Sequence, residues 1–463
     1  MAYRRNGNTR LAAVIAEAGL SHAQVARVFV RVAVESGAHD AAGVGRSHVS
    51  HWVAGSRPSG RAPAILCEAL SRCLGRVVTL DQIGLTGDAG SSSHVLDWDA
   101  DTLAGLADLG RADVDAERRR VIGAAAYSVA ALALPGEAWW RQMAGRGRGR
   151  GARGTHTVGS GDVEAVRDMV STFSRLDQRR GGGHARTAVV QYLTSDVASY
   201  LRGRFGSDRV RRDMLSAASE LAYLAGWMAF DHSSHVFAQH YFTVSLKLAA
   251  EADDPPMAGH VLRAMAHQAL DMGHPHQALD LAVASVDGQR YALAARRERA
   301  LLGVVHARSL AAVGRTRAAA TALTRAEDDL AAAEPGDEEP SRVFFFGEAS
   351  LAHETARTLA DIGDLAGAER EFGRSVRTRK AAIFTRTHAV TLGYLAAVQA
   401  QQGGIEQACA TWSRALDAMD GVRSGRTRQV AADMRTTLSA VRGRGIPAVA
   451  GLDARAASYL AGA

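Results

Sequence analysis

Residues 46–58 read Arg46-Ser47-His48-Val49-Ser50-His51-Trp52-Val53-Ala54-Gly55-Ser56-Arg57-Pro58. At 100° per residue, a helix through this stretch sets Val49, Trp52 and Val53 on one side and Ser47, His51 and Ala54 on the other, flanked by His48 and Ser50. One side can anchor in a core, while the other is small, polar and hydrogen-bonding. A helix that enters a DNA major groove needs this division, because the groove admits a helix but not one with bulky side chains all round. Gly55 stops the helix, and Pro58 with Gly60 fixes a turn before the next one begins near Pro63.

The preceding residues extend the same unit. Ser21-His22-Ala23-Gln24 is a capping box, in which the Ser hydroxyl accepts an orphan amide and the Gln side chain reaches back, so a helix starts near His22. It carries Val25, Val28, Phe29 and Val32 at 3/4 spacing, and an earlier helix carries Leu11, Val14, Ile15 and Ala18. Residues 1–86 hold ten arginines against Glu17, Glu35, Asp40, Glu68 and Asp81, a net +5 out of +7 for all 463 residues. A basic excess concentrated in the segment with the helical motif is the footprint of phosphate binding. Arg46, Ser47, His48, Ser50, His51, Arg57 and Arg61 are the expected contacts to double-stranded DNA, with Arg4 and Arg5 as a possible N-terminal arm.

Here the chain resembles the lambda-repressor-like (XRE) helix-turn-helix family, whose recognition helix shows Ile/Val-Ser-x-Trp followed by Gly and Pro; these are Val49-Ser50-His51-Trp52, Gly55 and Pro58. The chain departs from the family at the turn. Gly37 to Gly45 is longer than the usual short connection and rich in Gly and Ala, which bears on the docking angle.

The composition, rich in Ala, Leu and Arg and poor in Pro and aromatics, with no recurrent strand alternation, predicts an almost all-helical protein. Cys67, Cys73 and Cys409 have no metal-ligand spacing, and with no signal peptide or apolar span of about 20 residues they point to free thiols in the cytoplasm and no membrane partner. Arg118-Arg119-Arg120 before the apolar run 121–134 mimics a twin-arginine signal but lies deep inside the chain, and is read as a buried connecting helix. Thr86 to Ser93 reads as a flexible linker, Asp99 to Met143 as a helical connector, and the Gly-Arg alternation of 145–154 as a loop that cannot be helical.

The C-terminal half repeats about every 40 residues around five turn positions, Ser233, Gly273, Gly314, Gly363 and Gly403. Five residues on stands Ala238, Ala278, Ala319, Ala368 or Ala408, and seven back Gly226, Ala266, Ala307, Ala356 or Ala396. Twelve on stands Ser245, Ser285, Ala326, Ser375 or Ala415, and nine on Phe242, Ala282, Leu323, Phe372 or Trp412. Small residues let paired antiparallel helices approach, a turn joins them, and a bulky residue fills the gap to the next pair. The offsets resemble the tetratricopeptide pattern, with a spacing of 49 between Gly314 and Gly363 that absorbs the acidic loop Glu334 to Pro340.

The expected fold is therefore all-α: a helix-turn-helix DNA-binding domain (1–88), a linker with connecting helices and the Arg-Gly loop (89–160), and a tetratricopeptide-like α-solenoid for sensing and dimerisation (161–455). The whole resembles the actinobacterial regulators that join a divergent XRE-type helix-turn-helix to a tetratricopeptide-like region. The resemblance is carried further by Gly181-Gly182-Gly183-His184-Ala185-Arg186, Tyr223-Leu224-Ala225-Gly226-Trp227, Ala238-Gln239-His240-Tyr241-Phe242 and Glu406-Gln407-Ala408-Cys409-Ala410-Thr411-Trp412. It implies transcriptional control of development or secondary metabolism.

No P-loop, dinucleotide fingerprint or nucleophile elbow occurs, so neither an enzyme nor a cofactor is expected. The histidines between His232 and His276 are dense enough to bind zinc, with His267 and Asp271 at i, i+4 as the best geometric candidate, but polar groove and turn histidines are the expected reading and no metal is expected. Tyr192, Trp227, Asp231, Arg263, His267 and Asp271 fall on or near helices that line a solenoid's concave face, and are the candidate contacts to a peptide, small-molecule or protein effector. A homodimer is expected, since such readers bind paired half-sites. Two functions compete: a DNA-binding regulator with a sensing solenoid, and a protein-interaction scaffold with a vestigial helix-turn-helix.

Overall fold

A computed structural model describes residues 7–35, 38–85, 95–119, 127–149, 156–334, 336–441 and 447–462. The first unit is built from α1 (Thr9–Glu17), α2 (His22–Glu35), α3 (Arg46–Val53) and α4 (Ala62–Leu74). The capping box forms as read: the Gln24 side chain accepts the Ser21 amide at 2.8 Å and the Ser21 hydroxyl accepts the Gln24 amide at 3.3 Å. Leu11, Ile15, Val25, Phe29, Val49, Trp52, Ile65 and Leu70 form one core, in which the Trp52 ring lies 5.4 Å from Phe29. Burying each such side chain stabilises by about 1.5–3 kcal/mol. Asn8 closes the unit, accepting the Leu11 amide to start α1 and donating to the Ile83 carbonyl at 2.8 Å.

The connector differs from the sequence reading. α5 (Thr102–Arg119) and α6 (Glu137–Gly149) are helical, but residues 127–136 between them are not, apart from one 3-10 turn at Ala130–Leu132. The apolar run read as a buried helix is thus, in its described part, an irregular strap around that 3-10 turn. The linker at 86–93 and residues 150–154 of the Arg-Gly run lie outside the described residues.

Gly145 to Gly149, expected to form a loop, complete α6. Tertiary packing overrides propensity here. A Cβ on Gly147 would sit 2.1 Å from the Glu251 carbonyl oxygen, and Arg211 donates to the Gly147 carbonyl, so the glycine lets the helix lie directly on another backbone. Thr102 donates to the Glu251 carboxylate at 2.6 Å, holding α5 against the same helix.

The remainder is a solenoid. α7 (Ser160–Arg180) leads to α8 (Arg186–Tyr192), a π turn at Leu193–Val197 and α9 (Ala198–Arg202); the two-residue strands β1 (Thr157–Val158) and β2 (Arg204–Phe205) pair in parallel beside them. Then come the pairs α10 (Asp208–Asp231) with α11 (His235–Ala252), and α12 (Pro255–Asp271) with α13 (Pro275–Ser285). After the short α14 (Gln289–Ala292) follow α15 (Arg296–Ala312) with α16 (Thr316–Ala331), and α17 (Glu348–Asp361) with α18 (Leu365–Thr378). The chain ends in α19 (Thr385–Gln401) with α20 (Ile405–Ala418), and α21 (Gly425–Val441) with α22 (Pro447–Gly462).

The repeat register is realised in the backbone. Ser233, Gly273, Gly314, Gly363 and Gly403 all take positive φ, between 64° and 90°, at the turn within each pair. The alanines five residues on are at most 1% exposed. A Cβ on Gly226 would meet the Phe242 ring at 2.7 Å, which is the close approach the small-residue position serves. The first helices of the pairs form the inner layer, and α7 packs on both α10 and α19, so the superhelix closes on itself.

Candidate functional site

The two faces of α3 separate as read. Val49 and Trp52 are buried, whereas Arg46, Ser47, His48 and His51 are exposed, as is Arg57 in the loop that follows. Ser50 is half-buried and turned inward, its hydroxyl 2.9 Å from Nδ1 of His22, so it pins α2 to α3. The Gly45 amide donates to Nδ1 of His48 at 3.1 Å, which leaves the proton of a neutral His48 on Nε2. That N–H is a donor at the first turn of α3, beside Ser47. Arg61 is half-buried at the start of α4.

Ion pairing concentrates the charge excess. Arg10 pairs with Asp81 at 3.1 Å, Arg72 with Glu35 and Glu68 at 2.5 and 2.7 Å, and Arg76 with Glu17 at 2.7 Å. These three arginines engage four of the five carboxylates. Arg27, Arg31, Arg46 and Arg57 stay exposed with no carboxylate within pairing distance among the described residues. Arg4 and Arg5 lie outside the described residues.

On the inner layer of the solenoid, the residue six before each of the first four turns is Trp227, His267, Arg308 and Arg357 in successive pairs. The Trp227 ring lies 5.9 Å from His267, and the guanidinium groups of Arg263 and Arg426 stand over Trp227 at 5.4 and 5.3 Å. Asp271 receives Arg308 at 3.1 Å, Arg426 at 3.3 Å and Arg357 at 3.7 Å. Burial opposes its ionisation, but the arginines outweigh it and hold its carboxyl well below the usual carboxylate range. Burial, with Arg426, Arg308 and Arg263 nearby, keeps His267 well below the ordinary imidazole value, and so neutral.

Four of the six candidate ligand contacts, Trp227, Arg263, His267 and Asp271, therefore come together. Asp231 is placed elsewhere: wholly buried, it accepts the Gly182 amide, Arg386 and Ser424 at 2.9, 2.9 and 3.0 Å, and fastens the closure between α10, α19 and the loop before α21. Tyr192 packs on the core around Val166, Val189 and Leu193. Residues 341–346 fold back into the inner layer, where Arg342 binds Glu298 through two nitrogens at 2.7 and 2.9 Å and reaches Glu220 at 3.0 Å. Phe344 and Phe345 line a remnant cavity with Tyr223 and Trp227 of about 30 Å³, space for one water.

Residues 11–86 match the SP15 N-terminal domain family. That span runs from within α1 through α4 and stops before the connector. No curated protein and no solved structure matches the chain.

Sequence reasoning missed Arg308, Arg357 and Arg426. The signal for the first two was in hand, since they hold the same repeat offset as Trp227 and His267. Arg426 could not be found this way, because it reaches Asp271 from the first turn of α21 across the closed superhelix.

Proposed function

We propose that the chain is a sequence-specific DNA-binding transcriptional regulator, in which α3 reads duplex DNA and the solenoid binds an effector that modulates that reading. The observation that carries this is the outer face of α3, with compact polar groups at Ser47 and His51 and exposed Arg46, over the buried anchors Val49 and Trp52, followed by the exposed Arg57 in the loop after the helix. Side chains of this size can approach base edges, and uncompensated arginines supply the phosphate contacts that fix register. The dense polar inner layer around Trp227 and His267 supports the sensing role. Reading paired half-sites requires a homodimer.

One observation favours a second reading. Residues 36–45 separate α2 from α3, against the three or four of a common helix-turn-helix, which suits a scaffold that acts through a protein partner. Selection of randomised duplexes by the full-length protein decides between them. A recovered motif that binds with a steep salt dependence supports the regulator, and no enrichment at low salt rejects it in favour of the scaffold.

A further inference from the structure

The inner layer around Asp271 holds more cationic than anionic groups. Arg308, Arg357 and Arg426 converge on its carboxylate, Arg308 also takes Asp361 at 3.3 Å, and Arg263 stands beside Arg426 over Trp227. Arg379 lies close by, bonded to the Ala349 carbonyl and the Ser375 hydroxyl and not to a carboxylate. Five arginines thus face three acids, Asp271, Asp361 and Glu354; Arg386, next along, pairs with Asp177 and Asp231, and Arg426 also acts on Asp177, so six arginines face five acids in all.

Unused donors mark the same place. Nε of Arg263, Nη1 of Arg308 and Nε of Arg379 are buried without an acceptor, on side chains that are all more than nine-tenths buried. A buried N–H without a partner carries its full desolvation cost. The electrostatics agree: burial first, then Arg379, Arg357, Arg426 and Arg308, keep His353 well below the ordinary imidazole value. Burial with Arg386 nearby draws Arg379 down to about 10. Solvent reaches the group, since the side chains of Arg357 and Arg426 are each 19% exposed, Asp271 22% and Asp361 33%.

We propose that this cluster, with Arg263, Arg308, Arg357 and Arg426 as its donors, binds an oxyanion, the phosphate group of a small phosphorylated ligand. An oxyanion would offset the excess positive charge and offer acceptors to the orphan guanidinium N–H groups, which match phosphate in planar, forked geometry. Asp271 is the resident anion that offsets the arginines' mutual repulsion and competes with the ligand for them. The ligand's role as effector rests on the proposed regulatory function; its binding does not.

The test is calorimetric titration and thermal unfolding of the full-length protein with inorganic phosphate and with phenyl phosphate, at matched ionic strength in chloride, without DNA. Saturable binding is expected, weakened about tenfold or more by Arg426→Ala, which removes a charge-assisted contact at the edge of the cluster. Asp271→Asn removes the competing carboxylate, so it should bind phosphate more tightly and gain more thermal stability from it than the natural protein does. A purely structural role for these arginines predicts no such gain. Absence of saturable binding, affinity unchanged in Arg426→Ala, or weaker binding in a folded Asp271→Asn protein overturns the inference. Tighter binding of succinate than of either phosphate reassigns the cluster to dicarboxylates and overturns the phosphate assignment. DNA selection and phosphate titration are read separately, so either reading can fail without the other.

Discussion

The Glu68 carboxylate, buried in α4, accepts the Val129 amide at 2.8 Å across the seam between the N-terminal domain and the connecting strap. The next residues of the strap are tied to the solenoid. Ser128 exchanges two hydrogen bonds with the Gln239 side chain at 2.9 and 2.6 Å, and the Tyr127 ring stacks on His274 at 5.8 Å. The N-terminal domain and the repeats are thus joined through three successive residues, Val129 facing the domain and Tyr127 and Ser128 facing the repeats.

Glu68→Ala should release this seam. It leaves the Val129 amide without its acceptor and Arg72 with Glu35 alone, a cost of about 1–3 kcal/mol. Hydrogen exchange should quicken in residues 127–134 and at the end of α4, with α15 to α20 unchanged. Unaltered exchange in the strap would show that the seam does not hold the domain.

The two kinds of α3 substitution should separate on DNA. Ser47→Ala and His51→Ala should relax discrimination between sequences by about 1–3 kcal/mol per lost base contact. Arg57→Ala should weaken all sequences alike and reduce the salt slope by about 1. Measuring anisotropy with matched and mutated duplexes across a salt series distinguishes them, and identical behaviour of all three variants contradicts the assigned roles.

Two glycines of α6 should respond to alanine with opposite signs. Gly145 has open space where a Cβ would go, so Gly145→Ala should stabilise by about 1 kcal/mol through helix propensity. Gly147 lies on the Glu251 backbone, so Gly147→Ala should destabilise by about 1–3 kcal/mol despite the same propensity gain. Denaturant midpoints of the two variants decide it.

What was legible in the sequence was whatever depends on local periodicity. The buried side of α3, the Ser21–Gln24 box and the five turns follow from spacing, because each is a contact within one helix or one helix pair. What was not legible depends on closure. Gly147 is helical because of Glu251, and Asp231 is a fastening because α19 returns to α7 and α10. In the sequence alone, Asp231 and Asp271 are indistinguishable, each two residues before its turn. Only the superhelix sends one to a sealed junction and the other to an accessible cluster of arginines.

Ser233 is the non-glycine among the five turn positions, with φ 64°. Relieving the Cβ strain of the left-handed region should make Ser233→Gly more stable by about 1 kcal/mol. Gly273→Ser should cost a similar amount at the equivalent turn, φ 78°. Thermal midpoints that move the other way would show that the Ser233 side chain contributes more than the strain costs.

Acid should weaken the solenoid in two stages through one buried triad. Glu298 is fully buried, with His260 Nδ1 at 2.9 Å and the forked Arg342 on its other side. Burial raises its pKa, but Arg342 and His260 prevail and bring it down to about 2. Burial also draws His260 down to about 4, so it is neutral in the folded protein at neutral pH. Both folded values lie below the unfolded ones, so in each case the unfolded chain binds more protons and stability falls as pH falls. His260 acts between its ordinary value near 6.5 and about 4, and Glu298 between about 4.5 and about 2. Glu298→Gln should be less stable at pH 7 by about 3 kcal/mol and lose the lower stage of the acid limb, while keeping the upper one. His260→Asn should lose the upper stage. Denaturant unfolding from pH 7 to pH 3 measures both, and a Glu298→Gln protein that still weakens between pH 4 and pH 3 as steeply as the natural one would show that other carboxylates govern the acid limb.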